Sequence, residues 1–295
     1  MCMMRNHAVH WLAFLIVAIW GTTFVSTKVL IQAGLNPGDI FFARFLIAYL
    51  CILPFSCKRL WAGNLRDEAL LLAAGITGGS LYFLTENVAL QYSYCSNVSL
   101  LVCSTPMLTS LLLGLFYRDE RVNLKQFLFS LAALAGMALV VLNGHFVLKL
   151  SLRGDLLALA AAVTWALYSL CMRMLGGRYP MLFVTRKIFF YGLLTILPLF
   201  LWHPLQTSLQ VYMQPAVWGN LIFLGVVASF LCYFGWNVVL GRLGVVRSTN
   251  YIYLNPAVTL VASHLVLGER VTPLALLGAV MIVGGIYFVE RFRSR

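Results

Sequence analysis

Eight stretches of this chain contain no Asp, Glu, Lys or Arg: residues 6–27, 69–85, 87–117, 126–148, 156–172, 188–241, 248–268 and 271–289. A helix needs about 20 apolar residues to cross the hydrocarbon core of a bilayer, and these runs have that scale. A soluble domain covers its surface with about 25% charged residues. Here 10% are charged and 61% are hydrophobic, so a soluble exterior of this size cannot be built. A cytosolic enzyme, a disordered chain and a fibre are excluded together. The main solvent is lipid.

The two longest runs divide. Residues 188–241 are interrupted by a polar stretch from His203 to Pro215 and read as two spans. Ten spans follow, at roughly 9–31, 38–57, 69–90, 94–116, 124–143, 153–174, 182–202, 216–240, 244–266 and 272–290. The connectors are too short to fold as separate domains. Continuous apolar runs without period-2 alternation favour helices over a barrel. The first run is too long for a signal-peptide core and lacks a small-x-small cleavage site after it, so it reads as a membrane helix.

The net charge of +12 sits mainly in short connectors, where membrane topology places it, and does not point to nucleic acid. With the N-terminus inside, the cytoplasmic connectors hold thirteen Lys and Arg and the outer ones hold Lys149, Arg153 and Arg270. Lys28, Arg44, Arg186, Lys187 and Arg247 lie within spans or at their edges. Both termini are therefore expected in the cytoplasm. The seven cysteines are scattered and form no CxxC pair, so they predict neither a disulfide framework nor a metal site.

The chain repeats itself. Asn97 to Pro106, followed by Asp119-Glu120-Arg121-Val122, parallels Arg247 to Pro256, followed by Gly268-Glu269-Arg270-Val271. Asn87-Val88-Ala89-Leu90 parallels Asn237-Val238-Val239-Leu240 at the same spacing. Trp20 parallels Trp165, Arg44 parallels Arg186, and Ala135-Gly136 parallels Gly284-Gly285. Residues 9–143 and 153–290 thus form two units of five spans. An odd number makes the second unit enter from the opposite side, the arrangement of secondary transporters that bind substrate between inverted halves.

Several motifs resemble one family. Trp20-Gly21-Thr22-Thr23-Phe24, the arginine inside span two, Ala89 to Leu100, Asn255-Pro256-Ala257-Val258 and Leu267-Gly268-Glu269-Arg270 look like the drug/metabolite transporter superfamily, and more narrowly a transporter with two tandem EamA domains. The resemblance covers nearly the whole chain. It implies a ten-helix bundle around a central cavity and transport, often export, of amino acids or other small metabolites. Thr185-Arg186-Lys187 departs from the pattern by doubling the charge in span seven, which leaves the substrate's charge open.

Glu86 is the one acidic residue far inside a span, among Tyr82, Thr85 and Asn87. Intramembrane carboxylates are expensive and functional by default. Glu86 is thus a candidate for proton coupling or for pairing with a substrate amine; a structural ion pair with Arg44 is the alternative. Arg44 and Arg186 either bind substrate or snorkel to the headgroups. Trp20, Thr23, Tyr82, Asn87, Trp165, Tyr168, Tyr233, Trp236, Asn237 and Tyr253 supply the aromatic and polar lining expected of a small-molecule pocket. Pro106 and Pro256 open the helix ladder in spans four and nine, freeing carbonyls toward a cavity.

No lysine follows a glycine, so there is no Walker A loop, and HExxH and GxSxG are absent; no enzyme chemistry and no cofactor are expected. The reading is a secondary transporter of a small polar metabolite, amino acids first, in a bacterial inner membrane, working by alternating access as a monomer or weak homodimer. A multidrug exporter of lipophilic cations is the alternative. An intramembrane lipid-modifying enzyme has only the Arg186-Lys187 pair to support it.

Overall fold

A computed structural model describes residues 2–56, 60–118, 123–142, 151–202, 207–267 and 272–291. Among them every regular element is a helix. The first half comprises α1 (Cys2–Gln32), α2 (Pro37–Ile52), α3 (Leu65–Gly75), α4 (Leu81–Tyr92), α5 (Cys95–Val102), α6 (Thr105–Phe116) and α7 (Leu124–Leu142). The second comprises α8 (Leu152–Leu175), α9 (Met181–Ile196), short α10 (Leu199–Trp202) and α11 (Leu209–Tyr212), then α12 (Pro215–Ile222), α13 (Cys232–Leu243), α14 (Val245–Thr249), α15 (Asn255–Leu267) and α16 (Pro273–Arg291).

Local chemistry explains the boundaries. Pro37 opens α2, where its missing N–H costs nothing. Asn64 caps α3 by accepting from Asp67 N, and Asp67 and Glu68 face the positive end of its dipole. Ser151 caps α8, which ends at Gly176 in the left-handed region with φ +57°. Wide π turns at Ile76–Ser80 and Phe223–Leu231 join α3 to α4 and α12 to α13 without ending the spans.

Among the described residues, seven helical stretches are long and apolar enough to cross a membrane: His7–Gln32, Pro37–Phe55, Leu65–Tyr92, Val98–Phe116, Leu152–Leu175, Met181–Leu201 and Pro215–Leu243. Of the other three expected spans, two coincide with α7 and α16, apolar helices of 19 residues each. The third is divided by a 3-10 turn, Asn250–Leu254, between α14 and α15. The prolines also behave differently from expectation. Pro106 and Pro256 lie in the first turns of α6 and α15, and the ladder is interrupted just before them, at Cys103-Ser104 and at Asn250–Leu254. They start helices rather than break them.

Equivalent helices of the two halves run antiparallel. A Cβ on Gly136 would meet Gly278 O and Met281 on α16, and one on Gly285 would meet Phe129 O and Ala133 on α7. Along the other pair, Gly38 lies against Leu199, Phe45 against Gly192, and Ser56 O accepts from Arg186. The π turns are matched as well: a Cβ on Gly75 would sit 2.5 Å from Tyr191 Cβ, and one on Gly225 2.7 Å from Ile47 Cβ. Glycine is needed at both because the helix backbones touch there.

These contacts correct the register of α2 and α9. Both helices are 16 residues long. Gly225 approaches Arg44 O and Ile47, and Gly75 approaches Ile188 O and Tyr191. Arg44 therefore corresponds to Ile188, not to Arg186. Two residues turn a helical position by about 200°, onto the opposite face.

Candidate functional site

The rings from both halves meet at the centre. Trp20 of α1 packs edge-on against Trp165 of α8 at 5.4 Å between centroids. Tyr82 lies 4.7 Å and Tyr168 5.0 Å from Trp165, Trp236 lies 5.0 Å from Trp20, and Tyr233 touches both tryptophans. Beside this cluster is a cavity lined by Trp20, Thr23, Phe24, Arg44, Tyr82, Phe83, Glu86, Val102, Thr105, Trp165, Ile252 and Asn255. Trp20 and Trp165, Val102 and Ile252, and Thr105 and Asn255 are matched pairs from the two halves. The charges come only from the first.

Arg44 is 1% exposed and Glu86 5%. The Arg44 Nε donates to Ser229 Oγ at 3.0 Å, and its guanidinium lies over the Phe83 ring at 4.2 Å. Tyr82 OH donates to Glu86 Oε1 at 2.9 Å. Arg44 and Glu86 feel each other's charge, yet among the described residues they form no direct ion pair. Two opposite charges held apart across a cavity in low dielectric are a receptor for a dipolar ligand, because each lacks the partner that burial demands.

The cavity is narrow in this conformation. Its volume is about 30 Å³, room for a water molecule or two and far below the ~300 Å³ of an ordinary ligand pocket. Two larger clefts, each about 390 Å³, open at opposite ends of the bundle. One lies between the start of α2 and the end of α4 and includes Asp39. The other lies between the start of α9 and the end of α13 and includes Arg173 and Arg178.

Of the residues singled out from sequence, Trp20, Thr23, Arg44, Tyr82, Glu86 and Trp165 line the cavity. Tyr168, Tyr233 and Asn237 stand behind it: Tyr168 OH donates to Asn237 Oδ1 at 2.5 Å, Asn237 Nδ2 donates to Thr185 at 2.8 Å, and Tyr233 OH donates to Gly78 O. Trp236 packs behind Trp20. Asn87 ties α4 to the start of α2 through Pro37 O at 3.2 Å. Tyr253 is buried in the 3-10 turn outside the lining.

Arg186 lies away from the cavity, bonded to Ser56 O and over the Phe183 ring. Its neighbour Lys187 pairs with Glu68. Lys28 donates to the carbonyls of Leu90 and Ser93 at the end of α4. Asn255, Thr105, Phe24, Phe83, Val102 and Ile252 were not foreseen as lining. For Thr105 and Asn255 the signal was present, since each precedes one of the matched prolines.

A multi-helix bundle with two unpaired charges buried at its centre defines a membrane transporter. The chain belongs to the EamA-like transporter family, which matches residues 7–142 and again 152–291, two tandem copies. It is 28% identical over 286 residues to the probable terminal-alkyne amino-acid exporter of Streptantibioticus cattleyicolor, spanning 95% of this chain and 93% of that protein. It is 29% identical over 308 residues to the probable amino-acid metabolite efflux pump of Salmonella typhimurium, spanning 97% and 96%. A solved crystal structure at 18% identity covers 98% of this chain and 99% of its own with a TM-score of 0.75, a likeness of fold.

Proposed function

We propose that this chain exports a free amino acid across the bacterial inner membrane by alternating access between two inverted five-helix halves, residues 9–143 and 153–290, with both termini in the cytoplasm. One observation carries the reading: Arg44 and Glu86 face a single central cavity without pairing. An α-amino acid supplies a carboxylate for the first and an ammonium for the second. The named relatives that move amino acids or their metabolites support the same class. A cavity this narrow between two end clefts fits an intermediate of the cycle, and the π turns beside it, at Ile76–Ser80 and Phe223–Leu231, are where the long spans flex. Glu86 also supplies the group for coupling to a proton gradient, because a carboxylate there either binds the amine or carries a proton.

Counterflow in proteoliposomes containing only this protein and no ATP tests the proposal. Labelled L-leucine, L-phenylalanine and L-threonine form one panel and a lipophilic cation such as tetraphenylphosphonium the other. Exchange of at least one amino acid, without nucleotide, is expected. Exchange of the cation alone would replace this reading by a multidrug exporter, for which the aromatic wall is the supporting feature.

A further inference from the structure

Three residues lining the cavity each hold a buried polar atom without a protein partner: Arg44 Nη1, Trp165 Nε1 and Asn255 Oδ1. The residues are 1%, 4% and 4% exposed, so bulk water does not satisfy them. A buried donor or acceptor left unpaired is costly, and three around one cavity are a ligand's hydrogen-bonding pattern in outline. Two are donors and one is an acceptor. An indole N–H donates and cannot accept, so Trp165 reads only an acceptor.

The other half provides a comparison. Trp20, the counterpart of Trp165, has its indole donor engaged: Nε1 bonds Ala228 O at 3.0 Å, a carbonyl within the π turn. The spacing that relates Asn87 to Asn237 makes Gly78 the counterpart of Ala228. Gly78 O is already taken by the hydroxyl of Tyr233. The position equivalent to Tyr233 in the first half is Phe83, which has no hydroxyl and leaves Ala228 O to Trp20. Tyr233 thus displaces Trp165 from the carbonyl that symmetry offers it and leaves its N–H for a ligand.

We infer that the carboxylate of a free amino acid docks between Arg44 Nη1 and Trp165 Nε1, and its ammonium between Glu86 and Asn255 Oδ1, so that Trp165 and Asn255 set specificity for the intact amino acid. The inference rests on the amino-acid reading and deepens it. Charge-assisted bonds from two converging donors suit a carboxylate, while an acceptor beside a carboxylate suits an ammonium. Trp165 and Asn255 bind substrate; Tyr233 is a positioning residue that acts through Trp165.

The test is counterflow of whichever of labelled leucine, phenylalanine or threonine the wild type exchanges. The competitors are its decarboxylated amine, which lacks the carboxylate, and its N-acetyl derivative, which lacks the ammonium. Trp165→Phe is expected to raise KM for the amino acid about tenfold, the loss of one hydrogen bond to a charged group, with kcat nearly unchanged and inhibition by the amine unaltered. Asn255→Ala is expected to raise KM similarly while leaving inhibition by the N-acetyl derivative unaltered. Tyr233→Phe keeps Trp165 but returns Gly78 O to it, and so is expected to raise KM as Trp165→Phe does, without further effect in the double variant.

A KM for Trp165→Phe within twofold of wild type, or an equal loss for amino acid and amine, would overturn the inference. If Trp165→Phe does not fold, Tyr233→Phe decides alone: an unchanged KM contradicts the assignment. Failure of the wild type to exchange any of the three amino acids would remove the underlying reading and this inference with it.

Discussion

At matched positions the two halves share their scaffold and differ in their charge. Gly75 and Gly225 admit a neighbouring helix, Pro106 and Pro256 start α6 and α15, and the two π turns lie in equivalent spans. Where the first half has Arg44 and Glu86, however, the second has Ile188 and Trp236. The arginine and carboxylate are held by Ser229 and Tyr82; the isoleucine and tryptophan pack into the apolar core. The lesson is that the scaffold is shared while the charges at the cavity are not. A site made twice over would be symmetric and could not orient a substrate with two different ends.

The ends of the bundle differ in the same way. The start of α3 is bound to α9 and the turn before it by ions: Asp67 accepts from Arg178 at 2.6 Å and from Tyr179 at 2.7 Å, and Glu68 pairs with Lys187 and Tyr191. Its counterpart, the start of α12 against α2, is sealed by Leu35, Ile40, Val217 and Leu221, all buried and apolar. One end is held by ion pairs, and the other mainly by apolar packing, with Asp39 accepting from Thr207.

The largest effect is expected at the unshared carboxylate. Glu86→Gln keeps the size and the bond to Tyr82 but removes the charge, and should cut counterflow per folded protein by at least about tenfold, the loss of a hydrogen bond to a charged group. Trp236→Phe, at the counterpart, should change it less than about threefold. Equal losses at both positions would show that the comparison carries no functional meaning. A smaller effect is expected at the ionic end. Lys187→Met strands Glu68, whose side chain is 16% exposed, and should lower stability by about 2 kcal/mol in detergent, less than for a fully buried pair. Adding Glu68→Leu should recover most of that, because it turns this end into an apolar seal like its counterpart. Thermal unfolding of the single and double variants measures both.

Much of this arrangement was legible in the sequence. Charge-free runs located the membrane helices because lipid tolerates few charges. The spacing of Pro106 and Pro256 matched the halves because each proline lies in the first turn of its helix, and Asn87 and Asn237 keep the same spacing although they bond different partners. Matching Arg44 with Arg186 failed for a physical reason: two arginines near the same depth look alike in sequence, yet two residues of helix place them on opposite faces. Arg186 bonds a carbonyl at the end of α2, while Arg44 reaches the cavity. The unengaged indole of Trp165 was not legible, since it depends on a hydroxyl from another helix reaching Gly78 O first. The division of span nine escaped hydropathy because Asn250–Leu254 is apolar enough to pass as continuous helix.

The comparison of halves presupposes that the second is the first turned over in the membrane. Single cysteines at Leu60, in the connector before α3, and at Ser208, in the equivalent connector before α12, test this directly, since both positions are exposed. In a cysteine-free background that still transports, a membrane-impermeant maleimide added to intact cells should label the Ser208 variant only. The Leu60 variant should react only after the cells are opened. Labelling of both from outside, or of both only after opening, would contradict the inverted arrangement.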